Sequence, residues 1–253
     1  MLPEFTPLVI VIVAVCVFLY GASKTAMPVL GVLAGPVLAA VLTPTLASAF
    51  VVPLLIIGDL FALGYYRQHA NWKLILKLIP GVLVGFVLTA LMFKFLDGHT
   101  IGRIIGVLIL LSLCLELWQR RKDAKSETVS TDVPSNRGAM VFFGALAGMT
   151  TMAANAGGTA MTLYLLKMRV PMLAFMGTSA WFFFVVNLAK IPIVLGLGLV
   201  SASSLMSSVV FVPMIVIGAL VGVFVFRRMN QTVFNNVALT LSGVAAVWLI
   251  IHG

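Results

Sequence analysis

Residues 138–166 read GAMVFFGALAGMTTMAANAGGTAMTLYLL, an apolar stretch closed at one end by Arg137 and at the other by Lys167. How often this stretch crosses a bilayer decides the fold. A hydrocarbon core takes about 20 helical residues per crossing, so these 29 residues are too few for two comfortable spans. The flanking charges fix the parity. Of the sixteen Lys and Arg, twelve fall at four places: Arg67, Lys73 and Lys77; Arg120, Arg121, Lys122, Lys125 and Arg137; Lys167 and Arg169; Arg227 and Arg228. By the positive-inside rule all four places face the cytoplasm. The stretch therefore leaves the cytoplasm and returns to it. We expect a short hairpin of 138–154 and 156–166, broken at Asn155-Ala156-Gly157-Gly158.

The rest of the chain agrees with a membrane reading. Of 253 residues, 62% are apolar and 9% charged, with a mean hydropathy of +1.17. A soluble domain has about half and about a quarter. Continuous apolar runs, without the alternation that barrel strands need, exclude a transmembrane β-barrel and leave an all-α membrane protein. The net charge of +9 sits in the loops named above, so it implies the lipid bilayer as partner and no nucleic acid. Cys16 and Cys114 lie in apolar runs with no disulfide or metal spacing and read as packing residues.

Further apolar runs fall near 7–23, 26–45, 47–66, 74–96, 101–118, 173–198, 205–226 and 233–251. The first run has Glu4 where a signal peptide carries a basic region, and reads as retained. The loops around Asp97 and Ser201–Ser204 are poor in basic residues and suit the outer face. Counted back from Arg67, residues 7–45 form a second hairpin that starts and ends outside, which puts both termini outside. The chain then reads as an inverted-topology repeat. Residues 1–118 hold a broken or re-entrant hairpin plus three transmembrane helices, 119–137 a flexible cytoplasmic linker, and 138–253 the same order inverted.

Self-similarity supports the repeat. Gly21 and Gly31 match Gly148 and Gly158 in spacing, Ser48-Ala49 matches Ser179-Ala180, and Pro80-x4-Gly85 recurs as Pro213-x4-Gly218. Gly81/Gly85 and Gly218/Gly222 are small-xxx-small pairs at which helix backbones approach closely. Inverted repeats are the frame of secondary transporters, which hold substrate near the midplane on discontinuous helices.

That frame directs attention to the two breaks. The first, Gly21 to Pro28, carries Ser23, Lys24 and Thr25. An ammonium group in an apolar hairpin, far from the basic clusters, is costly and suits an anionic substrate; the alternatives are a hairpin tip in water or a structural pair with Asp59. The second break offers Thr151, Asn155, Gly157 and Gly158, and a helix starting after Gly158 would present free N–H groups to an anion. Lys190, three residues after Asn187 on one helical face, adds positive charge. Asp59 is a candidate proton carrier or counter-ion to a lysine, and Trp181 a candidate cavity wall. Trp72, Trp118 and Trp248 fit interface belts. There is no ATP-binding loop, metal spacing or catalytic triad, so we expect no enzyme, no cofactor and no metal, and transport driven by a gradient.

Gly21-x-x-Lys24, Pro53-Leu-Leu-Ile-Ile-Gly58-Asp59, Tyr66-Arg67, Asn71-Trp72 and Pro80 form one ordered set of motifs. Asn155-Ala-Gly-Gly158, Tyr164-Leu-Leu, Met168-Arg169, Gly177-Thr178, Trp181, Asn187-Leu188 and Lys190-Ile-Pro192 continue it through the second half. Together they resemble the TauE/SafE family of membrane permeases over nearly the whole chain. The resemblance implies export of sulfite or small organosulfonates such as sulfoacetate across the bacterial inner membrane without ATP hydrolysis. The resemblance also implies kinship with uptake permeases for aromatic sulfonates and with members of no known substrate.

The sequence thus reads as a carrier for a small anion, sulfite or an organosulfonate, working by alternating access with protons as the coupling ion. Uptake of another organic anion, a channel, and a membrane scaffold are the competing readings. Oligomeric state, a homodimer included, is not legible.

Overall fold

The computed structural model describes residues 6–32, 34–42, 44–96, 98–125, 137–155, 157–196 and 202–252, and these residues are all helix and short connection. Asp97, Ser201, residues 126–136 of the linker, Ala156 in the second break and Glu4 lie outside the described residues. Helix α1 (Pro7–Thr25) opens with the Thr6 hydroxyl accepting from the Val9 N–H at 3.4 Å, and Pro7 supplies the helical φ of the first turn. It stops ahead of Pro28, whose ring disfavours the helical conformation of the residue before it. A 3-10 turn (Pro28–Val32) and the short α2 (Ala34–Leu42) follow. At 1.5 Å per residue α1 is about 28 Å long and α2 about 14 Å, so the first hairpin has one arm long enough for the hydrocarbon core and one half as long.

The chain continues through α3 (Pro44–Tyr66), α4 (Trp72–Phe95) and α5 (Gly98–Lys125), the last running past Trp118 into the stretch read as linker. Helix α6 (Arg137–Ala154) ends where Asn155 takes a left-handed φ of 51°, and Arg169, two residues beyond the end of α7 (Gly158–Lys167), has φ 49°. Asn is among the few side chains that adopt this region readily, so the break stands where the sequence put it. The second hairpin again pairs a long arm with a short one. Helices α8 (Met172–Gly196), α9 (Ala202–Val210), α10 (Val212–Arg227) and α11 (Gln231–His252) complete the chain. The run 205–226, which reads as one segment, is interrupted at Phe211 because Pro213 in the first turn of α10 lacks the N–H a continuous helix would use.

Among the described residues four stretches are long and apolar enough to cross a membrane: Pro7–Thr25, Phe50–His69, Trp72–Met92 and Met172–Pro192. Leu76, Leu83, Val87 and Leu91 form an exposed stripe on α4, as Ile217, Leu220, Val221 and Phe224 do on α10. Apolar stripes of this length have lipid as their solvent.

The described helices fall into two compact units, residues 1–72 with 173–229 and residues 73–172 with 230–253. The first unit packs Val13, Cys16, Val17 and Tyr20 of α1 against Leu38, Leu54, Leu55 and Ile215. Its tightest seam joins α1 to α10. A Cβ on Gly21 would strike the Ile215 carbonyl, one on Gly218 the Phe18 carbonyl, and one on Gly222 the Thr25 hydroxyl. The second unit has a seam of the same kind between α4 and α6. There a Cβ on Gly81 would meet the Val141 carbonyl, one on Gly85 the Ala145 carbonyl, and one on Gly148 the Val82 carbonyl. In each unit the long arm of one half's hairpin lies against a glycine-notched helix from the other half. Helix α7 is enclosed, with every residue from Gly158 to Leu166 buried.

Candidate substrate site

The first unit gathers the charged residues of the apolar runs. Lys24 stands in the last turn of α1, where a cation complements the negative end of the helix dipole. Its Nζ is 2.7 Å from Oδ1 of Asp59 on α3, and Asp59 is 0% exposed. The other carboxylate oxygen, Oδ2, accepts from Asn187 Nδ2 of α8 at 2.7 Å. Lys190, one turn beyond Asn187 and 4% exposed, acts electrostatically on both Asp59 and Lys24. The Phe183 ring lies 4.9 Å from Lys24 Nζ. Phe183, Asn187 and Lys190 follow the i, i+4, i+7 spacing that puts them on one face of α8. Gly58 leaves room for the lysine stem, since a Cβ there would be 3.0 Å from Lys24 Cγ.

The turn after α1 is held from two sides. Tyr66 Oη donates to the Thr25 carbonyl at 2.9 Å, and Thr25 Oγ1 donates to the Ala219 carbonyl at 2.7 Å. Ser23 Oγ donates to the Tyr20 carbonyl at 2.7 Å. The hydroxyl protons of Ser23 and Thr25 thus secure the break, while Lys24 between them carries the charge.

Trp181 belongs to a separate joint. Its ring lies 4.9 Å from that of Trp72, and its Nε1 donates to the Arg67 carbonyl at 3.3 Å. Thr178 Oγ1 accepts from the Asn71 N–H at 2.9 Å, and a Cβ on Gly177 would be 2.8 Å from Ala70 N. Two helical rulers give the distance from this joint to the charged cluster. Arg67 back to Asp59 is eight residues and Gly177 on to Asn187 is ten, about 12 Å and about 15 Å.

The second break lies in the other unit. Asn155 N donates to the Thr151 carbonyl at 3.2 Å, and α7 begins from Gly157 with no side-chain cap, its first turn closed by Met161 N to Gly157 O at 3.1 Å. The opening N–H groups of a helix have no intrahelical partner. Thr151 is buried; Thr159 and Thr162 are fully buried, and among the described residues their hydroxyls have no hydrogen-bond partner. Of the residues expected at the site, the structure therefore joins Lys24, Asp59 and Asn187 with Lys190 close by, and puts Thr151, Asn155, Gly157 and Gly158 together in their own unit. Phe183 and Tyr66 were not among the expected site residues. The aromatic one turn before Asn187 was the available signal for the first, and nothing in the spacing signals the second. Among the described residues no three His, Cys, Asp or Glu side chains converge as a metal site would need.

Two lysine side chains thus stand close to one carboxyl group within the first unit. A polytopic helical membrane protein with ionisable side chains buried in its apolar runs has the makings of a transport protein rather than an enzyme. The chain belongs to the family described as Sulfite exporter TauE/SafE, whose model matches residues 12–249. No curated protein and no solved structure matches it.

Proposed function

We propose that the chain exports a small oxyanion, sulfite or an organosulfonate, across the bacterial inner membrane by alternating access around the Lys24 cluster, driven by the proton gradient. One observation carries this reading: Lys24 and Lys190 stand close to one another within one unit, beside the carboxyl group of Asp59. Two ammonium groups near one another in a low-dielectric interior repel, and an entering anion relieves that repulsion. A sulfite or sulfonate offers several acceptor oxygens to an ammonium group and to helix N–H donors. Thr151, Asn155, Gly157 and Gly158 make the second polar break of the carrier. The distance of about 12–15 Å between the joint and the cluster is about half a hydrocarbon core, in keeping with a midplane site.

The inverted repeat draws support from the two glycine seams, made in the same way by Gly21 with Gly218 and Gly222 and by Gly148 with Gly81 and Gly85. Asp59 and Lys190 also stand eleven residues after the matched serines, Ser48 and Ser179. In this scheme 1–118 and 138–253 are the repeats, the linker is cytoplasmic and both termini are outside.

The test is transport by the purified protein in liposomes. Labelled sulfite should accumulate in response to an imposed proton gradient and exchange by counterflow, which a channel does not support. Absence of any anion flux or anion-dependent thermal shift would leave the scaffold reading in its place.

A further inference from the structure

The hydroxyls at the start of helix α7 differ from the other helical hydroxyls of the second unit. We propose that Thr159 and Thr162, with the N–H groups of the first turn of α7, form a subsite for the three-oxygen head of a sulfonate or sulfite, and that the two hydroxyls select that head over a carboxylate. This rests on the anion-carrier reading.

A serine or threonine hydroxyl inside a helix can give its proton to a carbonyl of the preceding turn. Three helices of the second unit do this: Thr89 Oγ1 donates to the Gly85 carbonyl at 2.9 Å on α4, Ser112 Oγ to the Leu108 carbonyl at 2.7 Å on α5, and Thr150 Oγ1 to the Leu146 carbonyl at 2.7 Å on α6. On α7 the pattern stops. Thr159 and Thr162 are 0% exposed, and among the described residues neither hydroxyl has a partner. For Thr159 the break is the cause: the residue four before it is Asn155, which lies outside the helix with its left-handed φ. Thr162 has Gly158 at that distance and still makes no such bond. A buried hydroxyl without a partner is costly, and two of them at one helix end point to a ligand that pairs with both.

Helical side chains lean toward the N-terminus of their helix. Thr159 is the second residue of α7 and Thr162 stands one turn on along the same face, so both hydroxyls are directed to the end where the opening N–H groups have no intrahelical partner. Gly157 and Gly158 lead into that end without side chains, which lets a ligand come close to the backbone. Helix N-termini hold oxyanions through such N–H groups. The N–H groups face along the helix axis and the hydroxyls stand at its side. A planar carboxylate that turns both oxygens to the N–H groups has none left for the hydroxyls, whereas a pyramidal sulfonate or sulfite has a third.

The surroundings favour neutral donors. Every residue from Gly158 to Leu166 is buried, and in such a medium a hydrogen bond is stronger than in water. Lys167, the cation of α7, is in the last turn, about 14 Å along the helix from Gly158. The Tyr164 hydroxyl is also buried without a partner among the described residues. Its position on the helix turns it away from the two threonines, toward the Phe143 ring of α6 at 6.0 Å.

The test uses the full chain in nanodiscs, titration calorimetry, and two probes of equal charge near neutral pH, methanesulfonate and acetate. The wild-type protein should bind methanesulfonate about tenfold more tightly than acetate, as one added hydrogen bond to a charged group allows. Thr159→Val and Thr162→Val keep the side-chain shape and remove the hydroxyl. Each should weaken methanesulfonate binding by about tenfold, leave acetate binding unchanged, and keep or raise the melting temperature, which a merely structural hydroxyl would not do. Thr162→Ser, which retains the hydroxyl, should bind as the wild type does. Thr89→Val, which loses a hydroxyl bonded within its own helix, should change neither affinity. Equal affinity of the wild-type protein for the two probes overturns the proposal while leaving the anion site in place, and this comparison needs no variant to fold. Unaltered methanesulfonate affinity in both valine variants overturns it as well. Failure of both probes to bind overturns the anion-carrier reading itself.

Discussion

Lys24 Nζ and Asp59 Oδ1 meet at 2.7 Å, although their residues lie in different helices and both in apolar runs. Asp59 is fully buried, so the pair differs from a surface ion pair in what happens when one member is lost. Removing the ammonium group leaves a buried carboxyl group that has lost its ion-pair partner and is cut off from water. We predict that Lys24→Ala lowers stability by about 3–5 kcal/mol and abolishes anion binding. The double variant Lys24→Ala/Asp59→Asn should recover most of the stability and none of the binding. Thermal unfolding in detergent with and without sulfite reads both effects.

Lys190 is the residue whose role separates a charged site from a structural ion pair. Taking an ammonium group out of water is costly, and Lys190→Met removes that cost while keeping a chain of similar length. Lys190→Met should therefore keep or raise the melting temperature while weakening anion affinity by tenfold or more, and titration calorimetry measures the second effect. Unchanged affinity would remove Lys190 from the site.

At the seams a single methyl group decides whether two helices can touch. Backbone carbonyls oppose Gly21 and Gly218 in the first unit and Gly81 and Gly85 in the second, and backbone yields little. Gly21→Val and Gly85→Val should each cost at least about 1–3 kcal/mol, seen as early unfolding and loss of the monodisperse peak in size exclusion. Gly64 has nothing within 4 Å of an added Cβ, and Gly64→Ala should be harmless.

Trp181 separates packing from solute contact. Trp181→Phe keeps an aromatic surface for Trp72 and loses the bond to the Arg67 carbonyl, a loss of about 1 kcal/mol with the KM for sulfite unchanged. A raised KM at unaltered stability would instead make Trp181 a wall of the solute path.

What the sequence disclosed and what it hid follow from the kind of signal each residue leaves. Crossing parity and residue type located the break at Asn155, because a short apolar stretch between two basic loops must turn and Asn tolerates the left-handed turn. Scarcity singled out Lys24, Asp59 and Lys190, since ionisable side chains are rare in apolar runs. Which partner each finds is a matter of helix rotation and crossing, and hydropathy carries neither; the Lys24–Asp59 bond was one open alternative among three. The same limit applies to Ser23 and Thr25. They looked like ligand donors, and a carbonyl within reach took each hydroxyl proton. Pro213 was visible in the sequence, but that it divides one apolar run into α9 and α10 follows from where the first turn of α10 starts.

The seam between α1 and α10 also imposes an order on biogenesis. Helix α1 leaves the ribosome before α10 and must wait for Val212–Arg227 before Gly218 and Gly222 can receive it. At synthesis rates of about 5–20 residues per second that interval is about 10–40 s. During it the ammonium group of Lys24 sits in a hairpin whose clasp does not yet exist. A nascent chain halted before α10 should accordingly be a ready substrate for membrane proteases, and one released after it should not.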